Sequence, residues 1–600
     1  MGGRGERNLE RARQLVDALV RHGVREACVS PGSRSTPLVL ALARQDAIRT
    51  RVVLDERSAA FFALGVGKAG GRPAAVVTTS GTATANLHPA VLEAHRSGTP
   101  LIALTADRPH ELRGTDANQT ADQVGLYGDA VRLFHDVAPA GAVGQDGRYL
   151  RGLAARAVSA AVGRPPGPVH LNLPFAKPLQ PPPGGEGGPA AAGRGEGGGG
   201  APVAGRTAPV RGHPDEAVLA RLSGLISATG RGLVVAGPDP EPDRLGPAAL
   251  ALARETGWPL AADPLSGARY RPGAAGRVQG SYDLFLRPDA VRGRLRPDTV
   301  LWLGGRPTSK RLRRWIGELE EAEVVVVHDL PAWPDPGYRA DEVLRADPAA
   351  TAEALTGRLA GAGSGADAGW LEAWRAAEEA AAAAARERLD GPLQEGAALA
   401  AAVDALPEDG LLFAGSSMPV RELDAFGAPR DAQLRVVGNR GVSGIDGSTS
   451  TALGAAAAHG GPTAAVVGDL ALLHDVNGLA VAAREEIPLV IVVLENDGGG
   501  IFHHLPIREH EPHFTPYFAT PHGADLARAA DLYGVEHRLI DPGDRPRRSL
   551  TRALEEALAE ADQAGAPRLL EVRTDREENR RRREETVTAA AAAAARALES

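Results

Sequence analysis

Short apolar runs alternate with longer segments of helical period along most of the chain. In the first third the pattern predicts a helix over residues 9–22, a strand at 26–30, a helix over 37–44, a strand at 51–54, a helix over 59–69 and a strand at 74–79. Further strands are expected at 101–105 and 169–173. Strands that are apolar throughout and separated by helices pair in parallel and are covered on both faces. The same grammar returns after residue 213, with strands expected at 232–236, 299–303 and 324–328, and again later at 411–413, 433–437, 463–467 and 489–494. The fold class is therefore α/β, with three doubly wound parallel-sheet domains. Their expected bounds are 1–180, 213–365 and 385–575.

The connections differ from the domains in composition. The segment beginning PPPGGEGGPAAAG at Pro181 has nothing to bury and reads as a flexible Gly/Pro linker over 181–212. An Ala/Glu/Arg-rich stretch around 366–384 (LEAWRAAEEAAAA within it) has strong helix propensity and is expected as a connecting helix on the surface. The tail, 576–600, is a charge run followed by an alanine run and reads as a frayed helix or disorder.

Composition narrows the classes of function. With 43% hydrophobic and 24% charged residues among 600, the chain can bury large cores. A net charge of −8 argues against general nucleic-acid binding, so any anion site must be local. The longest apolar runs fall far below the ~18 residues needed to span a bilayer, and the charged, amphipathic N-terminus lacks a secretory h-region. No membrane insertion and a cytoplasmic location are expected. The single cysteine, Cys28, excludes an internal disulfide and a cysteine-based metal cluster. Only Lys68, Lys177 and Lys310 are lysines among 67 basic residues, so an arginine alone is weak evidence of a site.

The most informative segment is 463–502, in which a strand, a turn at Gly468-Asp469, a helix and a second strand lead into the turn Asn496-Asp497-Gly498. A right-handed crossover puts both turns at the carboxyl edge of one sheet, where open α/β sheets bind ligands. A carboxylate, an amide oxygen and a turn carbonyl are hard ligands that suit Mg²⁺ at a diphosphate. Taken singly, Asp469 is a helix cap and the second turn is only a turn; together, at this spacing, they point to a metal.

Here the sequence resembles the thiamine-diphosphate enzymes, whose metal motif is a Gly-Asp pair followed by an Asn about 27 positions on. Asp469 and Asn496 match, while Leu470 stands where Gly is usual and Glu495 where a first Asn is usual. The resemblance implies thiamine diphosphate and Mg²⁺, with Mn²⁺ as an alternative, and Asp469, Asn496 and Gly498 as metal ligands. Such a cofactor needs a carboxylic acid at N1′ of its aminopyrimidine. Glu56, between the expected strand and helix of RVVLDERSAAFFALGVGK (51–68), is the candidate for that catalytic role. As a plain first-turn Glu it would serve the helix dipole alone.

Several segments most resemble the branch of that family that joins decarboxylated 2-oxoglutarate to isochorismate in menaquinone biosynthesis. They are SPGSRSTPL (30–38), DERSAAFFALG (55–65), TTSGTATANLHPAV (78–91), LTADRPHELRGTDANQT (104–120), SSMPVRELD (416–424), NRGVSGIDG (439–447) and GDLALLHDVNGL (468–479), with SKRLRRW (309–315) the main match between them. The resemblance implies substrate contacts from Ser33, Arg34, Arg108, Gln119, Lys310, Arg421, Arg440 and Leu505. It implies cofactor contacts from Ser416, Ser417, Ile445, Ile501 and Phe502. Arginine forks suit the two carboxylates of each substrate. The resemblance also implies a homodimer or dimer of dimers, since acid and diphosphate site come from different subunits in such enzymes. Another thiamine-dependent carboligase, such as an acetohydroxyacid synthase, and a non-catalytic scaffold are the alternatives. The former prefers pyruvate and tends to carry a flavin, for which the middle block shows no obvious site.

Three further patterns have competing readings. Gly65 to Gly70 fits GxGxxG but falls within an expected helix, which excludes a dinucleotide turn. The turn TTSGTA (78–83) reads equally as an anion-binding turn or a helix start. The histidines between His503 and His522 lack a helical i, i+4 pair, and are expected in a mobile loop near the active site rather than on zinc.

Overall fold

The computed structural model describes residues 3–139, 146–182, 210–361 and 365–599. Most of the expected linker, 183–209, lies outside the described residues.

Among the described residues, eighteen strands form three parallel six-stranded sheets. The first contains β1 (Glu26–Val29), β2 (Arg49–Val52), β3 (Ala74–Thr78), β4 (Leu101–Asp107), β5 (Leu133–Asp136) and β6 (Pro168–Pro174), in the order β2-β1-β3-β4-β6-β5. The second contains β7 (Gly232–Ala236), β8 (Leu260–Ala262), β9 (Val278–Gln279), β10 (Thr299–Leu303), β11 (Glu323–Val327) and β12 (Glu342–Leu344), in the order β12-β11-β10-β7-β8-β9. The third contains β13 (Gly410–Ala414), β14 (Leu434–Val437), β15 (Thr463–Gly468), β16 (Val490–Glu495), β17 (Glu536–Leu539) and β18 (Arg568–Arg573), in the order β14-β13-β15-β16-β18-β17. The first and third sheets thus share one strand order. In both, the order reverses beside the first strand, which opens a crevice at the carboxyl ends of β1 and β3, and of β13 and β15.

The central strands are mostly apolar because helices cover both faces, although β4 and β6 also bury Thr105, Asp107, His170 and Asn172. β3, β10 and β13 are buried at every position. The edge strands β5, β12 and β17 bury no residue fully, which is why their sequences carry no clear strand signal. They were not expected, and neither were β8, β9 and β18.

Two compact units result. The first comprises Met1–Val210 with Arg440–Val442 and Ser450–Ala458, and the second comprises the remainder. Within the first, Gly65 of the helix Glu56–Gly70 has no room for a side chain, since a Cβ there would lie 2.0 Å from the Thr451 carbonyl oxygen. A Cβ on Gly454 would lie 1.9 Å from the Phe62 carbonyl. The GxGxxG pattern therefore serves a close helix crossing, in keeping with its rejection as a nucleotide turn. In the second unit, the fully buried Arg269 pairs with Asp424 at 3.0 Å, and Tyr282 donates to the same carboxylate at 2.6 Å. These contacts tie the second sheet to the helix Met418–Phe426.

Two expectations change. The helix Trp370–Leu389 is not a surface connector: it buries Trp370, Trp374, Ala377, Ala381, Ala385 and Leu389 in the core of the second unit. The tail is neither frayed nor disordered. Residues Arg576–Glu599 form one helix that packs against Trp370–Leu389, and its alanine run buries Ala590, Ala591 and Ala594. Alanine reads as low complexity in sequence, yet it is the side chain that lets two helices approach closely.

Candidate active site

The turns after β15 and β16 meet, because the two strands are neighbours with Gly468 level with Leu494. Asp469 begins a helix and is 2% exposed. Its Oδ2 accepts the backbone N–H of Asn496 at 3.1 Å and of Gly498 at 2.8 Å. Asn496 donates its Nδ2–H to Glu395 Oε1 at 2.8 Å, and this leaves Asn496 Oδ1 buried without a hydrogen-bond partner. Gly498 has φ 136°, and a Cβ there would lie 2.0 Å from the Ala519 carbonyl, so only glycine fits this turn.

A buried amide oxygen with no partner is costly in isolation. On a turn whose backbone N–H groups bind the Asp469 carboxylate it fits a hard dication, which would complete its shell with phosphate oxygens and water. The residues expected as ligands, Asp469, Asn496 and Gly498, are therefore brought together with a donor set of the right chemistry.

Three acidic or basic neighbours join this group, of which sequence reasoning missed only Glu395; Glu495 stood out as a departure from the metal motif, and His522 lies in the segment expected near the active site. Glu495 and His522 lie with Asp469 so that one potential ligand atom of each falls within 4.8 Å of the others. His522 Nε2 is 3.3 Å from Asp469 Oδ2. Its Nδ1 accepts the Ala524 N–H at 2.9 Å, and its Nε2 is buried without a hydrogen-bond partner. The topology delivers this histidine from 27 residues beyond β16, within the segment expected near the active site. Burial, reinforced by the charge of Asp469, raises the Glu495 carboxyl above its ordinary value even though the Asp497 N–H opposes this. The third neighbour, Glu395, opens the helix Glu395–Ala405 and is 2% exposed. Burial pushes its carboxyl up to about 7 against the opposing Asn496 hydrogen bond, with Glu422 adding a like charge. Nothing but a first-turn Glu is visible there in sequence.

Ser416 follows β13 and donates to the Asn439 carbonyl at 2.8 Å. Ser417, with φ 73°, holds a strained conformation ahead of the helix Met418–Phe426 and gives its carbonyl to the Arg421 guanidinium. Ile445 is half-buried, and its carbonyl accepts from Ser448 at 2.8 Å. Ile501 and Phe502 lie on the turn after Gly499, with Phe502 edge-on to Phe518. Leu505 is 45% exposed, and Lys310 is exposed at the start of the helix Lys310–Gly317. The histidine-bearing segment is built largely of short helical turns, Gly500–His504, Pro506–Glu509 and Thr515–Ala519.

In the first unit, Arg34 and Arg108 follow β1 and β4 and are 5% and 9% exposed. Arg34 donates its backbone N–H to Thr79 Oγ1 at 3.2 Å and its guanidinium to the Phe175 carbonyl at 2.6 Å, while its Nε is buried without a partner. Burial, then the charge of Arg108, lowers the Arg34 pKa from its ordinary value. Arg108 donates to Ser80 Oγ at 2.9 Å and to the Asn118 carbonyl at 2.7 Å. Gln119, with φ 56°, donates to the Ser80 carbonyl at 3.0 Å. Ser33 is exposed beside Arg34. The TTSGTA turn is closed by side chains, since the Gly81 N–H is taken by Gln123 Oε1 at 3.0 Å. Glu56, at the first turn of its helix behind the cap Asp55, is half-buried, and Asn86 Nδ2 approaches its carboxylate at 3.4 Å. Arg440 is half-buried, and the next two backbone N–H groups bind the Glu93 carboxylate at 2.9 and 2.7 Å.

Three such sheets, with hard oxygen donors at the crevice of the third, define a thiamine-diphosphate enzyme. Models of the thiamine pyrophosphate enzyme N-terminal TPP binding domain, middle domain and C-terminal TPP binding domain match residues 10–126, 222–414 and 425–572. The fold is shared with a thiamine diphosphate-dependent 4-hydroxybenzoylformate decarboxylase from Rhodococcus jostii RHA1, at TM-score 0.68 and 18% identity, over 95% of this chain and 99% of that one. Benzoylformate decarboxylase from Polynucleobacter necessarius gives TM-score 0.68 and 17% identity, over 94% and 99%.

Sequence relatives are more specific. The 2-succinyl-5-enolpyruvyl-6-hydroxy-3-cyclohexene-1-carboxylate synthase of Roseiflexus sp. (strain RS-1) is 44% identical, over 95% of this chain and 96% of the relative. The synthases of Halobacterium salinarum and Rubrobacter xylanophilus are 44% and 45% identical, over 95% and 94% of this chain and 96% of each relative. The chain belongs to the family of 2-succinyl-5-enolpyruvyl-6-hydroxy-3-cyclohexene-1-carboxylate synthases. It is a thiamine-diphosphate-dependent transferase.

Proposed function

We propose that the enzyme decarboxylates 2-oxoglutarate and adds the remaining four-carbon unit to the ring alkene of isochorismate, in menaquinone biosynthesis in the cytoplasm. The observation that carries the cofactor half of this reading is the partnerless Asn496 Oδ1, on the turn whose backbone N–H groups bind Asp469. Asp469, Asn496 and the Gly498 carbonyl would hold Mg²⁺ or Mn²⁺ at the diphosphate. When bound, thiamine diphosphate supplies the electron sink for loss of carbon dioxide from a 2-oxo acid.

The chain's own residues do the rest. Glu56 would hold a proton at the aminopyrimidine N1′. Its half-buried state in the single chain is consistent with a partner subunit completing its surroundings, so a homodimer or dimer of dimers is proposed. Arg34 has an unused, buried Nε–H, and with Arg108 it concentrates positive charge at one sheet edge, which suits a dicarboxylate. Ser33, Gln119, Lys310, Arg421, Arg440 and Leu505 are proposed on the substrate side. Ser416, Ser417, Ile445, Ile501 and Phe502 are proposed around the cofactor.

The test is mass spectrometry of products from 2-oxoglutarate plus isochorismate, with and without thiamine diphosphate. A cofactor-dependent product with the mass of the named cyclohexene carboxylate is expected. Turnover of pyruvate with no reaction of 2-oxoglutarate would contradict the substrate assignment.

A further inference from the structure

Glu395 lies outside the residues that the sequence pointed to, yet three other residues bind it. Its Oε1 accepts from Asn496 Nδ2 at 2.8 Å and from Thr574 Oγ1 at 3.1 Å. Its backbone N–H donates to Asn579 Oδ1 at 2.8 Å, and the preceding Gln394 side chain donates to Thr586 Oγ1 at 3.0 Å. Thr574 leads into the C-terminal helix, and Asn579 and Thr586 lie on it. The same segment grips the turn itself: the Thr574 N–H donates to the Glu495 carbonyl at 2.8 Å, and the Arg576 guanidinium donates to the Asp497 carbonyl.

The two ends of an asparagine amide have nearly the same shape and opposite chemistry. One end offers lone pairs and the other two N–H groups, and only the hydrogen-bond network decides which end faces where. A dication meeting the N–H end would find no ligand. A carboxylate placed 2.8 Å behind the amide selects the N–H end for itself and leaves the oxygen for the site.

We propose that Glu395 is a positioning residue, which sets the Asn496 amide with Oδ1 toward the dication and is itself held in place by the C-terminal helix. This rests on the reading of Asp469, Asn496 and Gly498 as the dication site. The tail, which carries no recognisable motif, thereby gains a defined role, with residues 574–586 locking the metal turn from behind.

The test is Mn²⁺ uptake by the full chain with thiamine diphosphate present, followed by electron paramagnetic resonance at one fixed pH. Glu395→Met keeps the volume and removes the acceptor, and it should weaken Mn²⁺ binding about 10- to 100-fold, as loss of an outer-shell partner does. Glu395→Gln keeps an oxygen acceptor and should recover most of that affinity. Wild-type affinity in Glu395→Met overturns the proposal, and so does an equal loss in both variants, which would assign the effect to charge. Should Glu395→Met fail to melt cooperatively, Thr574→Val carries the test. It frees the carboxylate without touching Asn496 and should weaken binding several-fold, and unchanged binding overturns the proposal. If the wild-type chain takes up no Mn²⁺ and Asp469→Ala changes nothing, the dication site itself is wrong.

Discussion

The first and third sheets have the same strand order and opposite chemistry at the same edge. After β1 and β4 stand Arg34 and Arg108, whereas after their counterparts β13 and β16 stand Ser416 and the Glu495-Asn496 pair. After β3 the chain places Thr79 against the Arg34 backbone, and after β15 it places Asp469 under two backbone N–H groups. The topology supplies a crevice in both sheets, and the first few residues beyond each strand decide which charge it accepts. An edge with a buried, unused guanidinium N–H suits an anion, while one with an unused amide oxygen beside a carboxylate suits a cation.

That contrast can be broken most strongly at Glu56, the acid of the first unit expected to serve the cofactor. Glu56→Gln should retain thiamine diphosphate and dication while turnover of 2-oxoglutarate falls about 10²- to 10⁴-fold, the range for loss of a general acid–base group. Steady-state rates at saturating cofactor check this. Next, Arg34→Ala should lower kcat/KM for 2-oxoglutarate plus isochorismate about 10- to 100-fold, since a hydrogen bond to a charged group is worth about 1.5–3 kcal/mol. Mn²⁺ affinity should not change. Weakened metal binding with normal substrate kinetics would reverse the roles of the two edges.

A smaller effect separates the sheets by acid. His170 on β6 is fully buried, with Thr105 Oγ1 at 2.7 Å, and burial pushes its pKa down to about 3. The unfolded chain takes up this proton near pH 6.5 and the folded chain only near 3, so between those values the unfolded state binds more protons and stability rises with pH. The contribution is complete above about 6.5, and by pH 5 the loss is about 2 kcal/mol. Urea denaturation from pH 5 to 7 should show this slope, and His170→Gln should flatten it.

Much of this was legible in the sequence, for a physical reason. Strands buried on both faces are apolar at nearly every position, so β3, β7, β10, β15 and β16 stand out, and a ligand at a strand end follows from where the apolar run stops, as at Asp469 and Asn496. Edge strands such as LFHD at β5 and EHRL at β17 carry mixed residues because one side faces water, and they were missed. Glu395 was missed because its partner Asn496 lies 101 positions away in the chain. The alanine-rich tail was misread because its packing value appears only once a second helix lies against it.

The central claim is that the cofactor's phosphates are held through a dication at the carboxyl ends of β15 and β16. Calorimetric titration of thiamine diphosphate with and without Mg²⁺, on the wild-type chain and on Asp469→Ala, tests it directly. The account predicts tight binding only when Mg²⁺ is present, lost in Asp469→Ala. Equally tight binding without the metal, or undiminished binding in that variant, would contradict it.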